Sequence, residues 1–110
     1  MKRGEEYETQ QGCVKWFRLQ YPQYLLFGVP NEATFRNRPY FANIGTLTGV
    51  SDLICVLPNK VLFIEMKSKT GRQSIEQKQF QHHIEELGFE YHIIRSFDEF
   101  KSLIENNIKV

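Results

Sequence analysis

The chain has little cysteine, little proline and no long apolar run. Its 110 residues include two cysteines, four prolines and seven glycines, which excludes a disulfide scaffold, a collagen-like repeat and a low-complexity chain. No segment approaches the roughly 20 consecutive apolar residues that cross a bilayer, and residues 1–6 lack the apolar stretch of a signal peptide. We therefore expect a cytoplasmic protein with no membrane contact.

The charge is nearly balanced, with 14 Lys and Arg against 13 Asp and Glu, so net charge alone indicates no class of partner. A chain of this length with 41% hydrophobic residues has room for one compact domain, which we assign to residues 1–110. Cys13 and Cys55 lie among apolar neighbours without CxxC or Cys/His spacing. We predict that both are small core residues.

The apolar pattern predicts an α/β fold. Helical spacing runs from about residue 5 to 21, and a second helix runs from 74 to 87 with Gly88 as its stop. Strands are predicted at 24–29, 53–57, 61–66 and 91–95, and Ser96 begins a last helix with Glu99 at capping-box spacing. Since both faces of the 53–57 strand are apolar, we expect a mixed β-sheet flanked by helices.

The predicted hairpin places two acidic residues face to face. If its turn is centred on Pro58 and Asn59, opposed residue numbers sum to about 117, and Asp52 lies opposite Glu65. Opposed like charges repel, and a divalent cation between them removes the repulsion. The two-residue period of a strand also puts Lys67 on the face of Glu65. Oxygen ligands suit Mg²⁺ or Mn²⁺, which bind substrate phosphates. The competing interpretation is that Glu65 and Lys67 are exposed residues at a strand end and that Asp52 merely begins a strand.

Polar side chains also interrupt two apolar helix stripes. Glu6 and Gln10 share the stripe of Phe17 on the first helix, and Gln77 precedes Phe80 by three residues on the second. Polar groups on core stripes need partners or a polar cavity. Two simpler interpretations stay open: fraying at the start of the first helix, and a capping box between Ser74 and Gln77 with no further role.

These residues together resemble a known family. In chain order, the sequence is similar to the virus-type replication-repair nuclease domain, VRR-NUC, a branch of the PD-(D/E)xK nuclease superfamily. The resemblance covers nearly the whole chain, and its form is that of stand-alone members from phages and prophages. It is carried by Glu6 to Gln10, Val29-Pro30-Asn31, Gly49-Val50-Ser51-Asp52-Leu53, Phe63-Ile64-Glu65-Met66-Lys67 and Gly71-Arg72-Gln73-Ser74-Ile75-Glu76-Gln77.

The resemblance implies a restriction-endonuclease-like core and a set of roles. Asp52 and Glu65 would be the metal-binding carboxylates, with the Met66 backbone carbonyl as a further ligand, and Lys67 the catalytic lysine. Glu6 would approach the metal or its water, although Glu5 and Glu8 compete for that role. Gln77 would support the site, with Gln10 and Ser74 beside it. Ser51 stands where the superfamily name expects proline; since that residue provides no ligand, the departure leaves the catalytic set intact.

A nuclease must also bind the phosphates of its substrate, so cations should flank the site. The candidates are Arg36, Arg38, Lys69 and Arg72, together with Asn31, which is equally well explained as a turn residue. No helix carries a base-reading array of Arg and Asn, which favours recognition of DNA structure over sequence. His82 and His83 are consecutive and cannot share one helix face, and His92 lies in a separate predicted strand, so we assign all three to surface or packing roles.

The sequence therefore predicts a Mg²⁺- or Mn²⁺-dependent endonuclease for branched DNA such as Holliday junctions. The resemblance to junction resolvases implies a homodimer in the cytoplasm of a bacterium or phage-infected host, and the 15 aromatic residues leave apolar surface for such an interface. The alternative is a non-catalytic module that retains the nuclease fold and binds branched DNA or a partner. A third interpretation is a structural protein whose hairpin carboxylates are merely exposed.

Overall fold

A four-stranded sheet forms the centre of the molecule. The computed structural model describes residues 2–30 and 44–108. In chain order, its elements are α1 (Lys2–Gln20), β1 (Leu25–Gly28), β2 (Leu53–Leu57), β3 (Lys60–Met66), α2 (Ile75–Glu86), β4 (Glu90–Ile94) and α3 (Phe97–Ile108). The order and type of these seven elements confirm the sequence prediction, and the bounds of α2 and the strands differ from it by at most one residue at either end.

The sheet is mixed, as predicted. Its strand order is β1-β2-β3-β4, with antiparallel β1–β2 and β2–β3 pairs and a parallel β3–β4 pair that requires the α2 crossover. The hairpin between β2 and β3 turns at Pro58 and Asn59, and Asn59 has a φ of 58°. Proline followed by a residue of positive φ is typical of a type II turn. Leu53 pairs with Ile64, so the register has the predicted sum.

Helices cover both faces of the sheet. On one face, α1 and α3 pack together over the main core, to which Cys13, Phe17, Phe100 and Ile104 contribute fully buried side chains. On the other face, Phe80 of α2 contacts Phe63 of β3, with ring centroids 5.8 Å apart. Cys55 is also fully buried, which confirms the core assignment of both cysteines. Each sheet face is therefore apolar, as a central strand requires.

The capping residues predicted from the sequence lie at the ends of the helices. Ser74 is the N-cap of α2 and forms a complete capping box with Gln77, and Gly88, with a φ of 92°, follows the helix end. At α3 the result differs in detail. Ser96 accepts the Glu99 N–H at 3.1 Å, but the Glu99 carboxylate accepts from the N–H of Arg95 rather than of Ser96. Among the residues of the described ranges, no helix is long and apolar enough to span a membrane.

Candidate active site

The candidate site lies where β2 begins and β3 ends. Asp52 directly precedes β2, and its carboxylate accepts the backbone N–H of Met66 at 2.7 Å. The hairpin register, continued by one residue beyond the Leu53–Ile64 pair, sets Asp52 opposite Glu65. Lys67 Nζ lies 3.1 Å from Glu65 Oε2. The fold thus brings together the three residues that the sequence predicted from hairpin register and strand period.

Burial raises the free-energy cost of keeping the side chains of this cluster charged. The Glu65 side chain is fully buried and that of Lys67 is 13% exposed. Burial raises the pKa of Asp52 from 3.8 to about 6; the Met66 N–H opposes this rise, and the charges of Glu65 and Glu6 add to it. The Lys67 ammonium, 3.1 Å from the buried Glu65 Oε2, balances the charge of that carboxylate. Without such a partner a buried carboxylate would be costly.

An open cavity of about 410 Å³ gives access to the cluster. Asp52, Met66 and Lys67 line it where β2 begins and β3 ends, Arg72 adds a second positive charge, and Glu65 is fully buried behind this lining. Its remaining lining comes from α1, the chain after β1, the segment before β2 and the start of α2: Glu6, Val29, Pro30, Leu47, Gly49, Val50, Gln73, Ser74 and Gln77. A concave surface that combines apolar walls with a few convergent polar groups is typical of a binding site.

Glu6 and Gln10 occupy different positions on α1. Glu6 is half-buried, and its carboxylate accepts the Ser68 N–H at 3.2 Å, which ties α1 to the chain after β3. Gln10 lies beside Gly28, where its Nε2 would be 3.8 Å from an added β-carbon. Fraying at the helix start does not account for these contacts. In the described part of the chain, no three His, Cys, Asp or Glu side chains form a group that could hold a metal ion, so Glu6 as a ligand stays a prediction.

The other predicted residues are distributed around the cavity. Gln77 and Ser74 line it, and both also form the capping box, so the role of Gln77 in supporting the site stays a prediction. Lys69 is exposed on the chain after β3. Asn31, Arg36 and Arg38 lie outside the described residues. His82 and His92 pair with Glu86 and Glu90 on the surface, which agrees with the non-catalytic role assigned to them.

Sequence reasoning missed three residues that contact the site. The hydroxyl of Tyr91, on β4, donates to Glu65 Oε1, and Gln73 Nε2 lies 3.3 Å from the same oxygen. The Arg95 guanidinium donates to the carbonyls of Ser68, Lys69 and Gly71 and so holds the loop that follows Lys67. The only signal for Tyr91 was a hydroxyl in an otherwise apolar strand, which needs a buried partner. No periodicity marks Gln73 or Arg95, because their partners are distant in sequence.

Solved structures of other proteins resemble the chain. A structure named "VRR_NUC domain protein" superposes with a TM-score of 0.72 at 19% identity, over 91% of this chain and 84% of that one. Another, named "VRR_NUC domain", superposes with a TM-score of 0.67 at 20% identity, over 92% of this chain and 95% of that one. The chain has the VRR-NUC fold. No family model and no curated protein matches the sequence.

In this chain the start of β2 and the end of β3 bring Asp52, Glu65 and Lys67 together, and residues of α1 and of the start of α2 line the cavity beside them. At these levels of identity the superpositions establish the fold. The chemistry must be argued from the side chains present.

Proposed function

We propose that the chain is a Mg²⁺- or Mn²⁺-dependent endonuclease that hydrolyses phosphodiester bonds in branched DNA such as Holliday junctions. The observation that carries this proposal is the contact of Lys67 Nζ with the buried carboxylate of Glu65, next to Asp52 at the edge of an open cavity. Two acidic residues and one lysine are the groups that metal-assisted phosphate hydrolysis needs.

The residues present fit a hard divalent cation. Asp52 and the buried Glu65 lie together with one ammonium beside them, that of Lys67, 3.1 Å from Glu65 Oε2. The charges of Glu65 and Glu6 raise the pKa of Asp52 further than burial alone does. A divalent cation would relieve this repulsion between carboxylates. Mg²⁺ is commonly held by one or two carboxylates plus waters and substrate phosphate, so Asp52 and Glu65 suffice, with the Met66 carbonyl and Glu6 as further oxygen donors. When bound, such an ion supplies positive charge and a more acidic water.

In this proposal, different residues of the chain bind the ion, orient the water and bind the DNA phosphates. Asp52 and Glu65 would bind the ion, and the Met66 N–H fixes the Asp52 carboxylate in place. The Lys67 ammonium orients the attacking water and stabilises the negative charge that develops on the phosphate. Arg72, on the cavity wall, and Lys69 bind phosphates of the DNA backbone. This division supports recognition of backbone and shape rather than base sequence.

Branched DNA and a two-fold dimer are further parts of the proposal. A single subunit of this size offers little surface for a four-way junction, and two sites related by a two-fold axis would cut symmetric strands. Measuring the mass of the protein in solution, alone and with a four-way junction, tests the dimer. A monomer under both conditions would contradict it.

The activity is tested by cleavage of four DNA forms. A junction, a flap, a duplex and a single strand are incubated with Mg²⁺, Mn²⁺ or EDTA. We expect cleavage with either metal, most rapidly on the junction, none with EDTA, and none by Lys67→Ala or Glu65→Gln. Lys101→Ala is the matched lysine control, because Lys101 is exposed on α3, across the sheet from the site, and should leave cleavage unchanged.

The same assay separates the alternative function. A non-catalytic module predicts salt-sensitive binding to branched DNA with no cleavage in any divalent ion. Binding without cleavage by the folded native protein would therefore reject the endonuclease and support the binding module. Full activity of Lys67→Ala would reject the proposed role of the lysine.

A further inference from the structure

A buried tyrosine lies behind the acidic cluster. Tyr91 is 6% exposed and pairs with Phe63 in the parallel β3–β4 ladder, so it shares a sheet face with Phe63 and with Glu65, two residues further along β3. Its ring packs on Phe80 of α2 at 6.1 Å. Its hydroxyl donates to Glu65 Oε1. A buried hydroxyl in apolar surroundings needs a hydrogen-bond partner, and here that partner is the carboxylate of the candidate metal site.

A second donor reaches the same oxygen from the loop before α2. Gln73 Nε2 lies 3.3 Å from Glu65 Oε1 and 2.9 Å from Gln81 Oε1. The Gln81 amide in turn donates to Glu85 at 3.1 Å. Because Gln81 accepts from Gln73, the Gln73 amide must present its NH₂ group toward Glu65. Gln81 on α2 thereby orients the Gln73 amide toward Glu65.

The two oxygens of Glu65 therefore differ. Oε1 accepts from both Tyr91 and Gln73, whereas Oε2 faces the ammonium of Lys67, a residue of the cavity lining, at 3.1 Å. A carboxylate held through one oxygen cannot rotate freely, so the position of its other oxygen is determined. In metal sites, partners of this kind orient the ligand and maintain its affinity for the ion.

We propose that Tyr91 and Gln73 are positioning residues that hold Glu65 by Oε1 and so direct Oε2 toward the cation. This inference rests on the proposed metal-dependent function. The tyrosine suits the task because its hydroxyl donates to Oε1 from a buried ring that packs against Phe80.

The test measures Mn²⁺ affinity by calorimetry in the absence of DNA. Tyr91→Phe removes one hydroxyl and keeps the ring against Phe80. We expect its Kd for Mn²⁺ to rise about 10-fold or more, within the range known for the loss of such partners. Gln73→Ala should also raise the Kd, but by less, since the Gln73 amide is shared between Glu65 and Gln81. Tyr24→Phe is the matched control, because Tyr24 packs on Tyr21 away from the site, and should bind Mn²⁺ like the native protein.

Cleavage at different Mn²⁺ concentrations provides a second readout. If Tyr91 positions a ligand, excess Mn²⁺ restores cleavage by Tyr91→Phe, whereas a general packing defect would not respond to the ion. Thermal unfolding shows which variants fold. If Tyr91→Phe does not fold, Gln73→Ala carries the test, because Gln73 lies in a loop and is only partly buried.

The outcomes separate this inference from the proposed function. A native protein that binds no Mn²⁺ overturns both. A native protein that binds Mn²⁺ and cleaves DNA, with unchanged Kd in folded Tyr91→Phe and Gln73→Ala, overturns only the positioning role. A native protein that binds Mn²⁺ without cleaving DNA, with weaker binding in the two variants, supports the positioning role and rejects the nuclease.

Discussion

Replacing Asp52 by asparagine should stabilise the protein and remove its metal binding. The folded protein raises the pKa of Asp52 from 3.8 to about 6, chiefly because the carboxyl is buried, with a further contribution from Glu65. A charged Asp52 therefore opposes folding at neutral pH. Asparagine has nearly the same shape, and its carbonyl oxygen can still accept the Met66 N–H that lies 2.7 Å from the present carboxylate.

The magnitude follows from linkage between proton binding and folding. Each pH unit corresponds to about 1.4 kcal/mol, so a rise in pKa from 3.8 to about 6 sets an upper limit of about 3 kcal/mol. Asp52 keeps some contact with solvent, which screens its charge and reduces the expected gain to about 1–2 kcal/mol. This is a large fraction of the free energy of unfolding of a small domain.

The sign of the pH dependence is also determined. Between pH 3.8 and about 6, the folded state holds a proton on Asp52 that the unfolded state has released. The contribution of this group to the free energy of unfolding therefore falls as pH rises through that interval. The asparagine side chain of the variant does not titrate. The stability advantage of Asp52→Asn should therefore be near zero below pH 3.8, grow up to about pH 6 and stay constant above it.

Urea unfolding in EDTA from pH 3.5 to 7.5 measures this advantage. Asp98→Asn is the control. Asp98 is an exposed acidic residue in the first turn of α3, where its charge favours the helix dipole, so its loss should lower stability slightly. Mn²⁺ at 100 times its Kd adds about 2.7 kcal/mol to a protein that binds it and should reverse the order of native and Asp52→Asn. A variant less stable than native at pH 7 in EDTA, or an advantage independent of pH, would refute the reasoning.

Three further predictions concern residues that support the fold. Gly49→Ala should lower the free energy of unfolding by more than about 2 kcal/mol, because Gly49 has a φ of 82° and an added β-carbon would lie 2.4 Å from the Glu76 carbonyl oxygen; Gly12→Ala, with nothing within 4 Å of the added carbon, should instead stabilise α1 by up to about 1 kcal/mol. Equal effects of the two changes in urea unfolding would contradict this account. Cys13 and Cys55 should resist a thiol reagent at pH 8 until urea is added, because burial raises the pKa of both thiols to about 12; rapid labelling of the folded protein would show that they are accessible. Arg95→Ala should cost about 2 kcal/mol in urea unfolding and slow cleavage, because it frees the loop that follows Lys67; native stability would show that the loop does not need its guanidinium.

The hairpin shows how much of the site can be predicted from a local sequence pattern. Two short β-prone runs around Pro58-Asn59 determine the register, and the register predicts that Asp52 lies opposite Glu65. The strand period then places Lys67 beside Glu65, and the structure confirms this with a 3.1 Å contact. Each step involves residues that are close in the chain, where turn geometry and side-chain alternation decide the outcome.

The contacts that hold Glu65 and the loop after Lys67 could not be predicted from the sequence in this way. Gln73, Tyr91 and Arg95 act on Glu65 or on the loop after Lys67 from positions 8 to 27 residues away. Their contacts depend on the parallel pairing of β4 with β3 and on where α2 lies over the sheet. Periodicity describes which face of an element is apolar but contains no information on which distant side chain meets it.

The sequence by itself determined the order of helices and strands, the hairpin register, the two core cysteines and the acidic pair with its lysine, because propensity, turn chemistry and side-chain alternation act over a few neighbouring residues. Tertiary structure alone decided how deeply Glu65 is buried, which donors hold one of its oxygens, and why the pKa of Asp52 is raised. Desolvation and charge coupling arise only when separate elements pack around a group and exclude water from it.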